Sequence, residues 1–463
     1  MVHDMIEVEK MGKPAVPLVS GRFEGDAIAS SRAFGMPNLK FVIVPRIYRN
    51  LAIEDCIKQT EDAFEDIVDT LTAVENSKNL FENKTADTES IYSYEDDDKY
   101  KCSLMMNRDL LDRDIGDGFP LLPATRETVN ELLEGTSLDA NEVVCDMPPG
   151  FGIATVEKIA VNAAYAGAKP EHMPVLIAAV KAFSRLGSER DPLLSGSASD
   201  NQGKSLLMST SPQAPLLIVN GPLAKDLKIN SKSALGPGKD NEVNIIIGRA
   251  FYLCLKNIGY WYPNEMDMDT IGTTRKFVQC IAENEEMSPW DPFHVDNGFK
   301  SNESTVSVFV TDGELDVQDQ GNTEAEDLLK VLAYGCTFGT ANIQSKGAGG
   351  GNERLILMPP DVAGPIGHAG EFSKQKAKEF IHENAVGSLG KMTHYMPLED
   401  ARVDKGWQWM KNLTEDQKQS VEISIMNSPD DCYIVVVGAD RAKTAVFPSG
   451  PAPSIVGIDE FLP

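Results

Sequence analysis

The residues of this sequence best suited to chemistry lie in a few islands between residues 154 and 294. The first, Ala154-Thr-Val-Glu-Lys-Ile-Ala-Val-Asn-Ala163, places Glu157 and Lys158 near a helix start and Asn162 one turn beyond Lys158. A lysine there can bind a carboxylate or, once desolvated, act as a base; a solvated helix lysine is the plain alternative. The second, Leu216-Leu-Ile-Val-Asn-Gly-Pro222, ends an apolar strand at Asn220, and Gly221 lets a ligand approach the backbone; a simple turn is the alternative. In the third, Leu235-Gly-Pro-Gly-Lys239, the backbone N–H groups of Gly236 and Gly238 can cradle an anion, although Pro237 removes one donor. Further on, Glu283, Glu285 and Glu286 with His294 have the chemistry for proton transfer or metal coordination, and an exposed acidic turn would carry the same residues.

Such residues need elements to hold them. Residues 1–75 read as helix 2–11, strand 14–19, helix 26–34, strand 40–45 and helix 53–72, a crossover pattern. Two strands make a thin sheet, so this stretch reads as an incomplete Rossmann-like half-domain with an exposed sheet edge. The run Lys40-Phe-Val-Ile-Val-Pro45 has the continuous apolar character of a parallel strand buried on both faces. Residues 76–118, with Glu95-Asp-Asp-Asp98, read as an acidic linker. A central α/β ligand-binding domain is expected over 119–320, with a C-terminal α/β region over 321–463 packed on it, so the larger part is α/β or α+β. Within it Thr125 caps a helix to Leu133, 142–146 is a strand, 155–166 and 174–186 are two helices, and 187–211 is a long Gly/Ser-rich lid or binding loop. Strands follow at 214–219, 305–311, 354–358 and 432–437, helices at 325–334 and 373–385. Residues 243–255, which include Arg249, change from strand to helix character. No internal repeat is visible.

The totals narrow the function classes. The net charge is −27, from 70 acidic and 43 basic residues, which disfavours nucleic-acid binding. Seven scattered cysteines without a Cys-x-x-Cys pair argue against a disulfide framework and against a zinc ribbon, and favour a reducing, cytoplasmic compartment. Cys145, Cys254 and Cys280 sit in or beside apolar runs and read as core thiols. No apolar run approaches the ~18 residues of a membrane span, and the charged start lacks a signal-peptide core. The acidic run has no EF-hand spacing, and Gly347-Ala-Gly-Gly-Gly351 lacks the Lys-Ser/Thr ending of a P-loop, so no metal or nucleotide site is expected and no cofactor is named.

Taken together, Ala154 to Asn162, Val219-Asn-Gly-Pro222 with Asn230-Ser231 and Gly236-Pro-Gly238, and Ala282-Glu-Asn-Glu-Glu286 with Pro289-Trp290 and His294 resemble the UGSC family, named for a selenocysteine- or cysteine-Gly-Ser-Cys motif. Residues 373–390 and 432–448 fit its closing helix and strand, and His3 to Pro14, Ser31 to Asn38 and Phe41 to Pro45 resemble its N-terminal α/β domain just after the motif. The resemblance implies thiol- or selenol-dependent redox chemistry, an oxidoreductase-like activity on a small molecule. Lys158, Glu283 and His294 would be catalytic; Glu157, Asn162, Asn220, Gly221, Asn230, Ser231, Gly236, Gly238 and Arg249 would bind ligand. The Gly-Ser-Cys motif is absent from this sequence, so it reads as a truncated selenoprotein-like frame or as one subunit of a split enzyme whose upstream partner carries the motif; a higher oligomer is compatible with either. The rival reading is a small-anion binding module, or a thiol-independent lyase or hydrolase using Lys158 and Glu283.

Overall fold

The computed structural model describes residues 2–33, 36–46, 48, 51–72, 91–186, 207–208, 210–263, 266–277, 279–338, 353–369, 372–388, 413–450 and 452–463. The glycine run 347–351 and most of the expected loop 187–211 lie outside the described residues. The protein is an α/β protein.

At the N-terminus two short strands, β1 (Leu18–Ser20) and β2 (Val42–Val44), pair in parallel with Leu18 opposite Val42 and Ser20 opposite Val44. Parallel neighbours need a crossover, and the helix Glu24–Ala33 provides it. β2 is not buried on both faces: Val42 and Val44 point inward and Ile43 outward. The expected helix 53–72 is two helices, Ile53–Asp62 and Phe64–Thr72. Ala63 between them sits at φ −94°, ψ −2°, the bridge conformation, which breaks the helical run without a glycine or proline to announce it. The buried Gln59 clamps this helix to the end of β2 by exchanging two hydrogen bonds with the Arg46 backbone, 3.0 and 2.9 Å.

The segment 76–118 contains a helix, Lys99–Asp112, started by the Asp98 carboxylate, which accepts from the Tyr100 N–H. Met106 and Leu110 on its inner face pack on Leu121 and Leu253. Thr125 caps the helix Arg126–Leu133 as its sequence position predicts. A hairpin of β3 (Val143–Met147) and β4 (Gly152–Thr155) then leads directly into the helix Val156–Ala166. That helix buries Val156, Ile159, Ala160 and Ala163 and ends at Gly167, whose φ of +81° is the left-handed stop that glycine supplies. The helix Met173–Ser184 is buried almost throughout, and Glu242–Asn257 is helical from end to end, with no strand in it. The β-branched triplet Ile245-Ile-Ile247 suits a strand as well as a helix, and here it is helical, with Ile247 buried and Ile245 and Ile246 half-buried.

Among the described residues the main sheet has eight strands: β5 (Ala214–Asn220), β6 (Cys280–Ala282), β7 (Thr305–Thr311), β8 (Leu315–Val317), β9 (Glu353–Met358), β12 (Cys432–Val436), β13 (Thr444–Ser449) and β14 (Ser454–Gly457). A separate antiparallel pair, β10 (Val386–Ser388) and β11 (Glu422–Ser424), lies beside it in sequence. The order β12-β9-β13-β7-β5-β6 carries a repeat of topology that the sequence does not show. In one half β5 is flanked by parallel β6 and antiparallel β7; in the other β9 is flanked by parallel β12 and antiparallel β13. Each first strand is followed by a five-residue helix, Pro222–Asp226 or Pro360–Gly364, and then a longer one, Glu242–Asn257 or Lys374–Asn384. The halves meet where Thr311, the last residue of β7, pairs with Ser449, the last residue of β13, as an approximate two-fold axis requires. The two remaining strands are exchanged: β8 pairs with β13, and β14 with β7.

The sheet curls. Its outer strands are β6 and β12, yet the Asn284 N–H just after β6 donates to the Val436 carbonyl that ends β12, at 2.7 Å. One face of the curl encloses a core with Ile218, Ile281, Phe309, Leu355, Val435 and Phe447, one from each of six strands. Its outer face carries two helical layers, Met173–Ser184 with Glu242–Asn257 over the first half and Ala325–Gly335 with Lys374–Asn384 over the second. Burial on both faces explains why β5 and β12 read as nearly continuous apolar runs.

Candidate functional site

The chemistry-bearing cluster forms where β5 and β6 end side by side. Parallel pairing of Val219 with Ala282 brings the last residue of β5, Asn220, next to the first residue after β6, Glu283. Both are almost wholly buried. Asn220 Nδ2 donates to Glu283 Oε2 at 2.5 Å and lies 3.3 Å from Glu285 Oε1. Glu283 Oε2 also accepts from the Phe293 N–H at 2.7 Å, while Oε1 has no hydrogen-bond partner. Burial pushes the Glu283 carboxyl up to about 7; the neighbouring Glu285 charge adds to the rise, and Lys374, the Phe293 N–H and Asn220 oppose it. Lys374, itself buried, donates to the Asp291 carbonyl at 2.6 Å and pairs with Asp296.

Gly221 continues the same turn. Its N–H donates to Glu285 Oε1 at 2.7 Å, and its φ is +87°. A Cβ there would lie 2.3 Å from the Glu303 carbonyl oxygen and 2.8 Å from Ser304 Cα, so the turn needs glycine for space as well as for φ. His294 is completely buried, with Nδ1 4.0 Å from Glu285 Oε1 and neither ring nitrogen in a hydrogen bond. Burial lowers its pKa; Glu285, the Lys300 backbone, Glu303 and Asp296 pull it back up. Glu283 and His294 thus flank Glu285, a pair of titratable groups whose ionised forms burial penalises.

The cluster opens on a cavity of about 330 Å³. Gly221, Asn230, Ser231, Glu283, Glu285 and Glu286 contribute to its wall, and Lys225, Lys228 and Lys232 bring cationic groups to it. Lys225 and Lys232 both approach Glu286, at 3.4 and 3.7 Å, in exposed pairs of the kind that contribute little to stability. The loop bearing Asn230 is held by amides: Asn230 Nδ2 donates to Asn241 Oδ1, and Asn244 exchanges hydrogen bonds with the Asn230 backbone. Asn241, Asn244 and Lys374 are supporting residues that the sequence reading did not single out. Asn244 had a signal, an amide within an otherwise apolar helical run; Lys374 had none beyond its place after the Ser373 cap.

The other expected site residues are not brought to this cluster. Lys158 is exposed, and its Nζ donates to the Ile153 carbonyl of the preceding hairpin at 2.8 Å. Glu157 is exposed in the first turn of the same helix, where it complements the helix dipole. Asn162 is buried and joins two helices, donating to the Lys158 carbonyl and accepting from Asn257 Nδ2 at 2.7 Å. Arg249 makes a two-pronged pair with the buried Asp117, 2.8 and 2.9 Å, and caps the Phe119 and Pro120 carbonyls. Gly236 lines a different cavity, and Gly238 lines neither. Among the described residues no three His, Cys, Asp or Glu side chains are grouped to hold a metal ion, and no helix is long and apolar enough to cross a membrane. Burial pushes Cys145, Cys280 and Cys336 up to about 12 and raises Cys254 and Cys432 further. All five are neutral thiols at neutral pH.

No curated protein matches the chain, and neither does any solved structure. A family model does match, and it covers the N-terminal unit of β1, β2 and their helices, ending before the strands that hold the Glu283 cluster. Residues 1–73 of this chain match the UGSC family.

Proposed function

We propose that the cavity beside Glu283 is a general acid–base site for a small anionic molecule, with chemistry of the lyase type. The observation that carries this reading is the Glu283 carboxyl, raised by burial to about 7 with Oε1 left unpaired. A carboxyl poised there both gives and takes a proton near neutral pH. Its Oε2 stays held by the Phe293 N–H and Asn220, so Oε1, buried without a partner, is the oxygen that carries the proton. Glu285, fixed by the Gly221 N–H, is a nearby negative charge that favours the protonated acid. Lys228, with Lys225 and Lys232 that share Glu286, supplies the charge that a carboxylate or phosphate on the substrate would meet, although Asp240 also lies on the wall.

The test is deuterium wash-in by NMR across a panel of small oxo and hydroxy carboxylates in D₂O. Exchange of a C–H beside a carbonyl, with a pH limb near 7 and its loss in Glu283→Gln, is the expected result. Exchange that survives Glu283→Gln would remove the proposal.

A second reading is favoured by the UGSC match over residues 1–73. In it the chain is part of a thiol- or selenol-dependent redox enzyme acting on a small molecule, and the nucleophile comes from a partner or segment bearing the Gly-Ser-Cys motif. Glu283 would then serve the proton transfers. Alkylation separates the readings: an activity intact after complete blocking of accessible thiols and selenols belongs to the first.

A further inference from the structure

A second cavity, of about 440 Å³, opens on the concave face of the curled sheet. It is separated from the Glu283 cavity by one loop: Asn230, Ser231 and Lys232 face one, Ser233 to Pro237 the other. The Gly438 N–H pins that loop to the end of β12 by donating to the Ser231 carbonyl at 2.8 Å. The inner wall is apolar, with Leu216 from β5, Ile281 from β6, Leu357 from β9, Val437 after β12 and Phe447 from β13. These side chains line an opening between the two outer strands of the curl, the kind of concave site that takes a small molecule.

The charges around it are unequal. Arg441 and Lys443 lie on the wall with a single carboxylate, Glu314. Lys443 is committed to Asp316 at 3.1 Å and to Gln318. Glu314 is attracted by Arg275, which does not line the cavity and whose guanidinium lies 5.9 Å from the Phe447 ring centre. Arg441 is exposed and makes no ion pair with a described residue, and its planar fork suits a carboxylate.

We propose that this cavity binds an amphipathic organic acid, its apolar chain inside the curled sheet and its carboxylate against the Arg441 guanidinium. The proposal is independent of the acid–base reading, because none of the Glu283 cluster lines this cavity. Octanoate, octan-1-ol and octylammonium are the probes, titrated calorimetrically into the full chain. Octanoate is expected to bind at least about tenfold more tightly than octanol, and octylammonium more weakly than either, since one charge-assisted contact is worth about that factor. Arg441→Gln, at an exposed position, is expected to erase the preference for octanoate and leave octanol binding unchanged. Ala445→Leu, which places a larger side chain on the cavity wall, is expected to weaken all three. Equal binding of octanoate and octanol to the native chain overturns the proposal. So does an octanoate affinity unaltered in the folded Arg441→Gln variant.

Discussion

Replacing Glu283 by glutamine should alter how stability depends on pH, and the structure sets the size of the change. The folded chain raises this carboxyl from 4.5 to about 7, chiefly by burial. Below pH 4.5 both folded and unfolded chains hold the proton, and the group's contribution to stability is fully present. Between 4.5 and about 7 the unfolded chain releases a proton that the folded chain keeps, so stability falls as pH rises. Above 7 the loss is complete, and at 1.36 kcal/mol per pH unit it comes to about 3 kcal/mol. Glutamine keeps an acceptor for the Phe293 N–H and Asn220 but never ionises. The stability of Glu283→Gln minus that of the native chain should therefore rise by about 3 kcal/mol between pH 4.5 and pH 8. Urea unfolding at half-unit pH steps measures it, and the subtraction cancels other titrating groups such as Asp269 and Asp312. A difference that stays flat over that interval would refute both the raised carboxyl and the acid–base reading built on it.

Arg249→Met leaves Asp117, 1% exposed, as an unpaired buried charge, so it should cost roughly 3–5 kcal/mol in urea unfolding while leaving ligand affinity unchanged. Gly221→Ala forces a Cβ against the Glu303 carbonyl at a φ of +87°; a loss of more than about 2 kcal/mol is expected, with weaker binding in the Glu283 cavity because the N–H to Glu285 moves. Iodoacetamide under native conditions should label Cys56 and Cys102, which are partly exposed, and spare Cys254, Cys280, Cys336 and Cys432; peptide mass spectrometry after a timed quench reads the order.

How much was legible depended on whether the signal was local. β5 and β12 announce themselves because strands buried on both faces must be apolar at every position. Asn220 and Glu283 could be picked out because each is a polar residue at the end of such a run. Their meeting follows from parallel pairing of β5 and β6, across the 62 residues that lie between Asn220 and Glu283 and contain no sign of it. Lys158 stands at a helix start like a site lysine, and only the fold shows its Nζ turned back to Ile153. Arg249 looked like a ligand group because its partner, Asp117, is remote in sequence. The duplicated topology is hidden in the sequence for a related reason. Its two halves share strand order and helix placement, but the residues filling them differ, so a periodic comparison of letters has nothing to match.

The exchange of β8 and β14 between the halves has a consequence for how the chain is made. β14, which follows both halves in sequence, pairs with β7 by joining Gly457 to Thr305. During synthesis from the N-terminus, the first half must therefore wait for the whole of the second before its sheet is finished. Until then the β7 edge presents unpaired N–H and C=O groups beside the Met173–Ser184 helix. Long-range pairing of this kind is slow to form, and the interval is one in which a nascent chain needs shielding.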